Sequence, residues 1–154
     1  MRYFVCLLLA LLVLLTACSP QEDQGRKSQA RPETPVVVPE EVADSWKAVK
    51  IVAIDLTTGK EQVFIVDVGG EFSVPDSNLV VKVRYFLPAF VRDGKVISSS
   101  SNKLDNPAVM IRVSERGEEL FNGWLFGLYP QAHNFRHTRY SFRLAGQIPA
   151  QKKG

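Results

Sequence analysis

The sequence predicts an all-β fold, a small antiparallel β-sandwich or partly open barrel of about seven or eight strands. Apolar and polar side chains alternate along several segments, as they do in strands with one buried face. Turn-forming residues separate these segments, and no stretch shows the apolar period of an amphipathic helix. Strands joined by tight turns favour antiparallel pairing between neighbours.

Alternation is clearest in residues 79–86, 109–114 and 140–145, and each of these segments predicts a strand with one buried face. Residues 48–56 and 63–68 are apolar on both faces, which predicts two central strands. The side chains expected to point inward in the alternating strands are Leu79, Val81, Val83, Tyr85, Val109, Ile111, Val113, Tyr140, Phe142 and Leu144.

Turn chemistry marks the breaks between the expected strands. Glycine, asparagine and aspartate tolerate the positive φ angles that tight turns require. The expected turns are Thr58-Gly59, Gly69-Gly70, Pro75-Asp76-Ser77-Asn78, Asp93-Gly94 and Arg116-Gly117. They divide residues 46–146 into pieces of strand length, which predicts a β-rich globular domain over that range.

The first residues have the pattern of an export signal. Arg2 precedes an apolar run that is shorter than the roughly 20 residues a spanning helix needs. The run ends in Leu15-Thr16-Ala17-Cys18, which resembles the lipobox of bacterial lipoproteins. The resemblance implies that residues 1–17 are a signal peptide and that Cys18 carries fatty acyl chains such as palmitate. It also implies an extracytoplasmic location, at the outer membrane if the cell is Gram-negative, because Ser19 follows the cysteine.

Residues 18–45 contain four prolines and few apolar side chains, which predicts a lipidated flexible linker. Residues 147–154 are expected to form a disordered tail. Cys6 and Cys18 are the only cysteines, so the core must hold without an internal disulfide once the signal is removed. From Trp46 onward the chain has 15 basic and 10 acidic residues, an excess that permits an anionic partner without requiring one.

No motif in the sequence predicts catalysis, a metal site or a cofactor. His133 and His137 have a spacing that metal sites use on helices, but Asn134 replaces the glutamate of a zincin and Arg136 brings a competing positive charge. The serines at 98–101 lack the glycines of a nucleophile elbow, and Gly69-Gly70 begins no phosphate-binding loop. We expect a noncatalytic protein that binds no nucleic acid. An enzyme or metal protein that relies on His133 and His137 is the alternative.

Two short segments carry a resemblance to known proteins. Asn106-Pro107-Ala108-Val109 is followed by Gly123-Trp124-Leu125-Phe126 and then by Pro130 and His133. This pattern resembles an uncharacterised domain of small secreted bacterial proteins, over about residues 48–144, and implies a periplasmic β-rich domain with no established activity. The same two segments resemble, more loosely, periplasmic parts of membrane subunits in cytochrome c assembly, which implies an accessory role in assembly.

The predicted binding surface consists of Tyr129, His133, Arg136, His137 and Arg139. These aromatic and cationic side chains lie in a long connection between strands, where binding sites are often built. The alternative is an ordered loop that only covers one end of the sheet. We expect a membrane-anchored lipoprotein that engages an envelope protein.

An alternative function is the binding of an anionic envelope polymer or lipid headgroup. The arginines that would carry this binding are Arg84, Arg136, Arg139 and Arg143.

Cys18→Ala is expected to abolish lipid attachment and to move the protein from the membrane pellet to the soluble fraction. Its thiol is the only acylation site in the predicted mature chain. Incorporation of an alkyne analogue of palmitate and ultracentrifugation of lysed cells measure both effects. Cys6→Ala is the matched control, because Cys6 lies in the predicted signal peptide. Lipid label retained by Cys18→Ala would contradict the prediction.

Overall fold

The computed structural model describes residues 33–151, which fold as nine strands and one short helix. The elements in chain order are α1 (Glu40–Ser45), β1 (Trp46–Asp55), β2 (Glu61–Asp67), β3 (Glu71–Ser73), β4 (Leu79–Leu87), β5 (Phe90–Asp93), β6 (Val96–Ser99), β7 (Ala108–Glu115), β8 (Glu118–Phe126) and β9 (Tyr140–Pro149). The all-β prediction is confirmed, with more strands than the seven or eight expected. Within this part of the chain no helix has the length and apolar character to cross a membrane.

The strands form three antiparallel sheets that do not close into a barrel. The first sheet has the order β2-β1-β9, and the second has the order β3-β4-β7-β8. Strands β5 and β6 form a separate hairpin. Pairing of β1 with β9 brings together the first and last strands of the domain, so the first sheet depends on contacts between distant parts of the sequence.

The core contains side chains from both larger sheets, which is the arrangement of a sandwich. β1 and β9 supply it from the first sheet, and β4, β7 and β8 supply it from the second. The alternation predicted for β4, β7 and β9 is confirmed over most of its length. The central core residues are Val49, Ile51, Ala53, Val81, Val83, Val109, Ile111, Val113, Phe142 and Leu144.

A β-bulge in β4 overturns one expected orientation. The register between β4 and β7 shifts between Val83 and Tyr85. An extra residue in a strand reverses the faces of the residues that follow it. Phe86 is therefore buried, whereas Tyr85, which was expected to point inward, is only half-buried. The ring of Phe86 packs edge-on against Trp46, with 5.4 Å between centroids.

The prediction that residues 63–68 form a central strand is wrong. β2 lies at the edge of the first sheet and pairs with β1 only, among the strands that the structure describes. Its outward side chains Val63 and Ile65 are 58% and 64% exposed. An apolar run has the same appearance in a buried strand and in an edge strand with an exposed apolar face, and only the pairing distinguishes them.

The predicted domain boundaries also require correction. The flexible linker was expected to continue to residue 45, but Val36 forms a bridge to Ile97 and Val42 of α1 is fully buried. These valines bury apolar surface, which the proline-rich composition of the segment concealed. The predicted tail began at residue 147, but Ile148 pairs with Ala48 and β9 continues to Pro149. The predicted signal peptide and Cys18 lie outside the described residues.

The β5–β6 hairpin is held against the outer face of the second sheet by aromatic contacts. The Phe90 ring lies edge-on to Trp124 and Phe126, with centroid distances of 5.0 Å and 5.1 Å. Trp124 is half-buried in this layer and lies outside the main core cluster. The backbone of Asn106 also joins the hairpin, because its carbonyl accepts a hydrogen bond of 3.0 Å from the Phe90 amide.

Phe142→Ala is expected to lower the free energy of unfolding by about 3–5 kcal/mol, because removal of a fully buried ring leaves a cavity in a close-packed core. Chemical denaturation measures the loss. Leu120→Ala is the matched control: this side chain is 41% exposed, and its truncation should change the stability by no more than about 0.5 kcal/mol. Equal losses in the two variants would contradict the assigned core.

Candidate functional site

The predicted binding surface lies in the connection 127–139 between β8 and β9, here called the β8–β9 loop. Phe135 anchors this loop: its ring is buried and packs against Phe121 at 5.5 Å and against Phe142 at 5.3 Å. At the start of the loop the Gly127 amide donates a hydrogen bond of 2.8 Å to the carbonyl of Pro107. The loop is therefore held against the sandwich by its own buried side chain.

His133 is half-buried beside this anchor. Its ring centroid lies 6.4 Å from that of Phe121. The Nδ1 atom is buried and has no hydrogen-bond partner within residues 33–151. Burial is the main cause that lowers the pKa of His133, the positive charge of Arg136 lowers it further, and backbone groups of Phe142 and Pro130 oppose the shift. The imidazole is therefore predominantly neutral at neutral pH.

His137 has a structural role at the end of the loop. Its Nδ1 atom accepts hydrogen bonds from the backbone amides of Arg139 at 3.2 Å and Tyr140 at 3.0 Å. The Nε2 atom lies 3.9 Å from a carboxylate oxygen of Glu115, a contact that becomes an ion pair when the imidazole is protonated. These contacts orient the chain as it enters β9.

The two histidines contact different groups. His133 lies against Phe121, whereas His137 lies against Glu115 and Tyr140. Residues 33–151 contain no group of three or more histidine, cysteine, aspartate or glutamate side chains that could hold a metal ion.

Arg139 joins the β8–β9 loop to the end of β1. Its Nε and Nη2 atoms each lie 3.0 Å from Oδ2 of Asp55, and its Nη1 donates to the carbonyl of Asp76 at 3.4 Å. The guanidinium also lies 5.0 Å from the centroid of the Tyr140 ring, within the range of a cation–π contact. The hydrogen bond with Asp55 is the main cause that raises the pKa of Arg139.

Asp55 is held on both carboxylate oxygens. Its Oδ1 atom accepts hydrogen bonds from the amides of Thr57 at 2.9 Å and Thr58 at 3.2 Å, while Oδ2 receives Arg139. Burial acts to raise the pKa of Asp55, but these hydrogen bonds outweigh it and lower the pKa below its usual value. The ionised carboxylate thus connects the β1–β2 turn to the β8–β9 loop.

Beside this ion pair is an open cleft of about 210 Å³. It lies where the β1–β2 turn, the β3–β4 turn and the start of β9 meet. Its polar and aromatic lining includes Asp55, Lys60, Gln62, Asp76, Arg139 and Tyr140. The sequence predicted only Arg139 as a site residue, because the other lining residues lie in turns and at strand ends that come together only through the fold. Local turn and strand patterns carry no information about a shared cleft.

The structure divides the predicted binding surface into two parts. Tyr129 and Arg136 are exposed on the loop, and the Tyr129 side chain is 62% accessible. His133, His137 and Arg139 make contacts that hold the loop and its entry into β9 in place. Tyr129 and Arg136 are accessible to another molecule, and Arg136 also donates to the carbonyl of Phe135 at 3.1 Å. The other three residues fix the position of the loop.

The four arginines of the anionic-ligand hypothesis do not share one surface. Arg84 donates to Asn122 on the outer face of the second sheet, at 3.2 Å. Arg143 pairs with Glu61 across the outer face of the first sheet, at 2.7 Å. Arg139 is paired with Asp55 at the end of the sandwich. Their charges therefore point in different directions.

Comparisons of this chain with protein-family models, with curated proteins and with solved structures found no match.

The stability of the domain is expected to decrease as the pH falls below about 6.5, the ordinary pKa of histidine. Folding lowers the pKa of His133, so the unfolded chain takes up a proton that the folded chain excludes. The stabilisation is complete above that pH and is lost as the pH falls toward the lowered pKa. Denaturation midpoints between pH 7.5 and 5.5 measure the effect.

His133→Gln is expected to reduce this pH dependence, because the substituted side chain does not titrate. His137→Gln is the matched control and should retain the contribution of His133. A pH dependence that is unchanged in His133→Gln would contradict the assignment.

Proposed function

We propose that this protein is a noncatalytic, membrane-tethered interaction module that engages another protein in an extracytoplasmic compartment. The lipobox-like sequence at Cys18 supports the tether. The resemblance to assembly proteins supports a partner protein in the envelope. It also supports an accessory role in cytochrome assembly. The contact surface is the exposed part of the β8–β9 loop.

One observation carries the proposal: the loop is anchored to the core by one buried ring, and two of its other apolar side chains are exposed to solvent. Phe135 is buried in the core, whereas Leu128 and Tyr129 of the same loop are 55% and 62% exposed. A surface that is already ordered loses less conformational entropy on binding than a mobile one. Tyrosine and arginine are enriched in protein interfaces, and Tyr129 and Arg136 supply both.

The alternative, a module for an anionic polymer or lipid headgroup, has less support from the contacts. Arg139 and Arg143 already bind carboxylates, and an anionic ligand would have to compete with Asp55 and Glu61. Arg136 and Arg139 are both exposed in the β8–β9 loop, but Arg139 is bound to Asp55. Arg136 is left to attract an anion, and a single cation gives a weak electrostatic attraction at physiological salt.

Photo-crosslinking in cells tests the proposal. Full-length protein with p-benzoylphenylalanine in place of Tyr129 is expected to crosslink to one reproducible envelope protein, identified by mass spectrometry. Leu120 is the matched control site, since it is also an exposed apolar residue but lies at the opposite end of β8.

Combining the crosslinker with Cys18→Ala should weaken the crosslink, because the untethered protein is no longer concentrated at the membrane. Identical crosslinks from both sites, or none from Tyr129, would reject the loop as the contact surface. Crosslinking to lipid alone would favour the headgroup alternative.

A further inference from the structure

We infer that the outer edge of β2, which no strand of residues 33–151 covers, binds an extended strand of a partner protein, with apolar residues at alternate positions and basic residues at both ends. The inference rests on the proposed interaction role and assigns it a second surface, in addition to the β8–β9 loop. Addition of a strand to a sheet edge is a recurring mode of peptide recognition.

The backbone of β2 has the required orientation. The Asp55 amide donates to the carbonyl of Lys60, and the Val68 amide donates to the carbonyl of Lys47, both at 2.9 Å. In an antiparallel pair, hydrogen-bonded residues alternate with residues whose backbone groups point away from the partner. The even-numbered residues of β2 therefore bond to β1. The N–H and C=O groups of the odd-numbered residues 61, 63 and 65 point outward along the edge.

The same residues expose apolar side chains. Val63 and Ile65 lie two positions apart on one face of β2, and each is more than half exposed. Natural sheets usually protect an edge strand with a proline, a lysine or a bulge. The interior of β2 reads Gln-Val-Phe-Ile-Val, and its register with β1 runs without a shift. The edge is therefore regular and apolar, and no other strand of residues 33–151 covers it.

The strand is also held in place on its inner side. Phe64 stacks on Phe72 of β3 with 4.1 Å between ring centroids, and Val66 is buried in the core. On the outer face, Glu61 accepts a hydrogen bond of 2.7 Å from Arg143 of β9, whose side chain crosses β1 to reach it. An arriving strand would meet a preformed edge and would not have to order it.

Charge identifies the kind of occupant. Glu61 and Asp67 bracket the apolar pair, and a cation beside Glu61 would share its carboxylate with Arg143, which lies 2.7 Å away. In a pair of identical β2 strands, the register that matches Val63 with Ile65 places Glu61 opposite Asp67 of the other copy. Like charges directly opposite each other destabilise a strand pair. A partner strand with lysine or arginine at its ends would place opposite charges there, so the edge favours a basic-flanked strand over a second copy.

A synthetic peptide tests this inference directly. The probe is fluorescein-labelled Lys-Thr-Val-Thr-Ile-Thr-Lys, titrated with the full-length protein in detergent micelles and followed by fluorescence anisotropy. We expect saturable binding that weakens at least tenfold in Ile65→Lys. Leu120→Lys, which adds the same charge at an exposed apolar site on β8, should bind as the unsubstituted protein does.

Two modified probes separate strand addition from general apolar adhesion. A peptide with glutamate at both ends should bind at least tenfold more weakly. Alternate amides of a strand point in opposite directions. Methylation of the Val and Ile amides of the peptide and methylation of its Thr amides should therefore have different effects on binding. One set of methyl groups should abolish binding, and the other should leave it intact. Equal effects of the two sets would overturn strand addition.

The remaining outcomes also decide the inference. No binding of the unmodified probe, or equal binding by Ile65→Lys with an unchanged circular dichroism spectrum, would overturn it. A dimer in sedimentation that Ile65→Lys dissociates would assign the edge to a second copy and would also overturn it. If position 129 gives no crosslink but the peptide still binds, the loop surface is rejected and the β2 edge is not. The two proposals can therefore be rejected independently.

Discussion

The rest of the structure depends on the apolar contact between the two larger sheets. β1 and β9 face β4 and β7 through side chains that are almost completely removed from water. Residues 33–151 contain no cysteine, so no disulfide shares in holding this part of the chain together. Each buried methylene contributes about 0.8 kcal/mol, and the summed burial of these valines, isoleucines and leucines opposes the large entropy of the unfolded chain.

The candidate binding loop is an extension of that core. The rings of Phe121, Phe135 and Phe142 form a continuous contact from β8 through the loop to β9. The Arg139–Asp55 pair then fastens the end of the loop to β1. The contacts that position the loop are therefore continuous with the packing that stabilises the sheets.

Local sequence patterns predicted the strands that have one solvent-exposed face and one buried face. β4 and β9 alternate because each has an apolar inner side and a more polar outer side, whereas β7 alternates only from Ile111 onward, since its first four residues are all buried. The runs at 48–56 and 63–68 appear equivalent in sequence, yet β1 is central and β2 is an edge. Strand order is decided by long-range pairing, above all by β9 returning to β1, and a local pattern contains no record of it.

The sequence likewise predicted only part of the candidate site. Five of its residues lie within one loop, so a scan along the chain could find Tyr129, His133 and Arg139 together. Asp55 is 84 positions away from Arg139, and only the folded chain shows that it holds this arginine. The anchoring role of Phe135 was equally hidden, because an aromatic residue in a loop reads the same whether it points to solvent or to the core.

The direction of β1 determines the end of the sandwich at which the chain enters and leaves the first sheet. The chain enters this strand at Trp46, and the opposite end at Asp55 holds Arg139 of the β8–β9 loop. Ten residues of extended chain span about 30 Å, at about 3.3 Å per residue. Since β9 runs back antiparallel to β1, Pro149 returns to the side of Trp46. The chain therefore enters and leaves the β1–β9 pair at one end, and the Arg139–Asp55 pair lies at the other end.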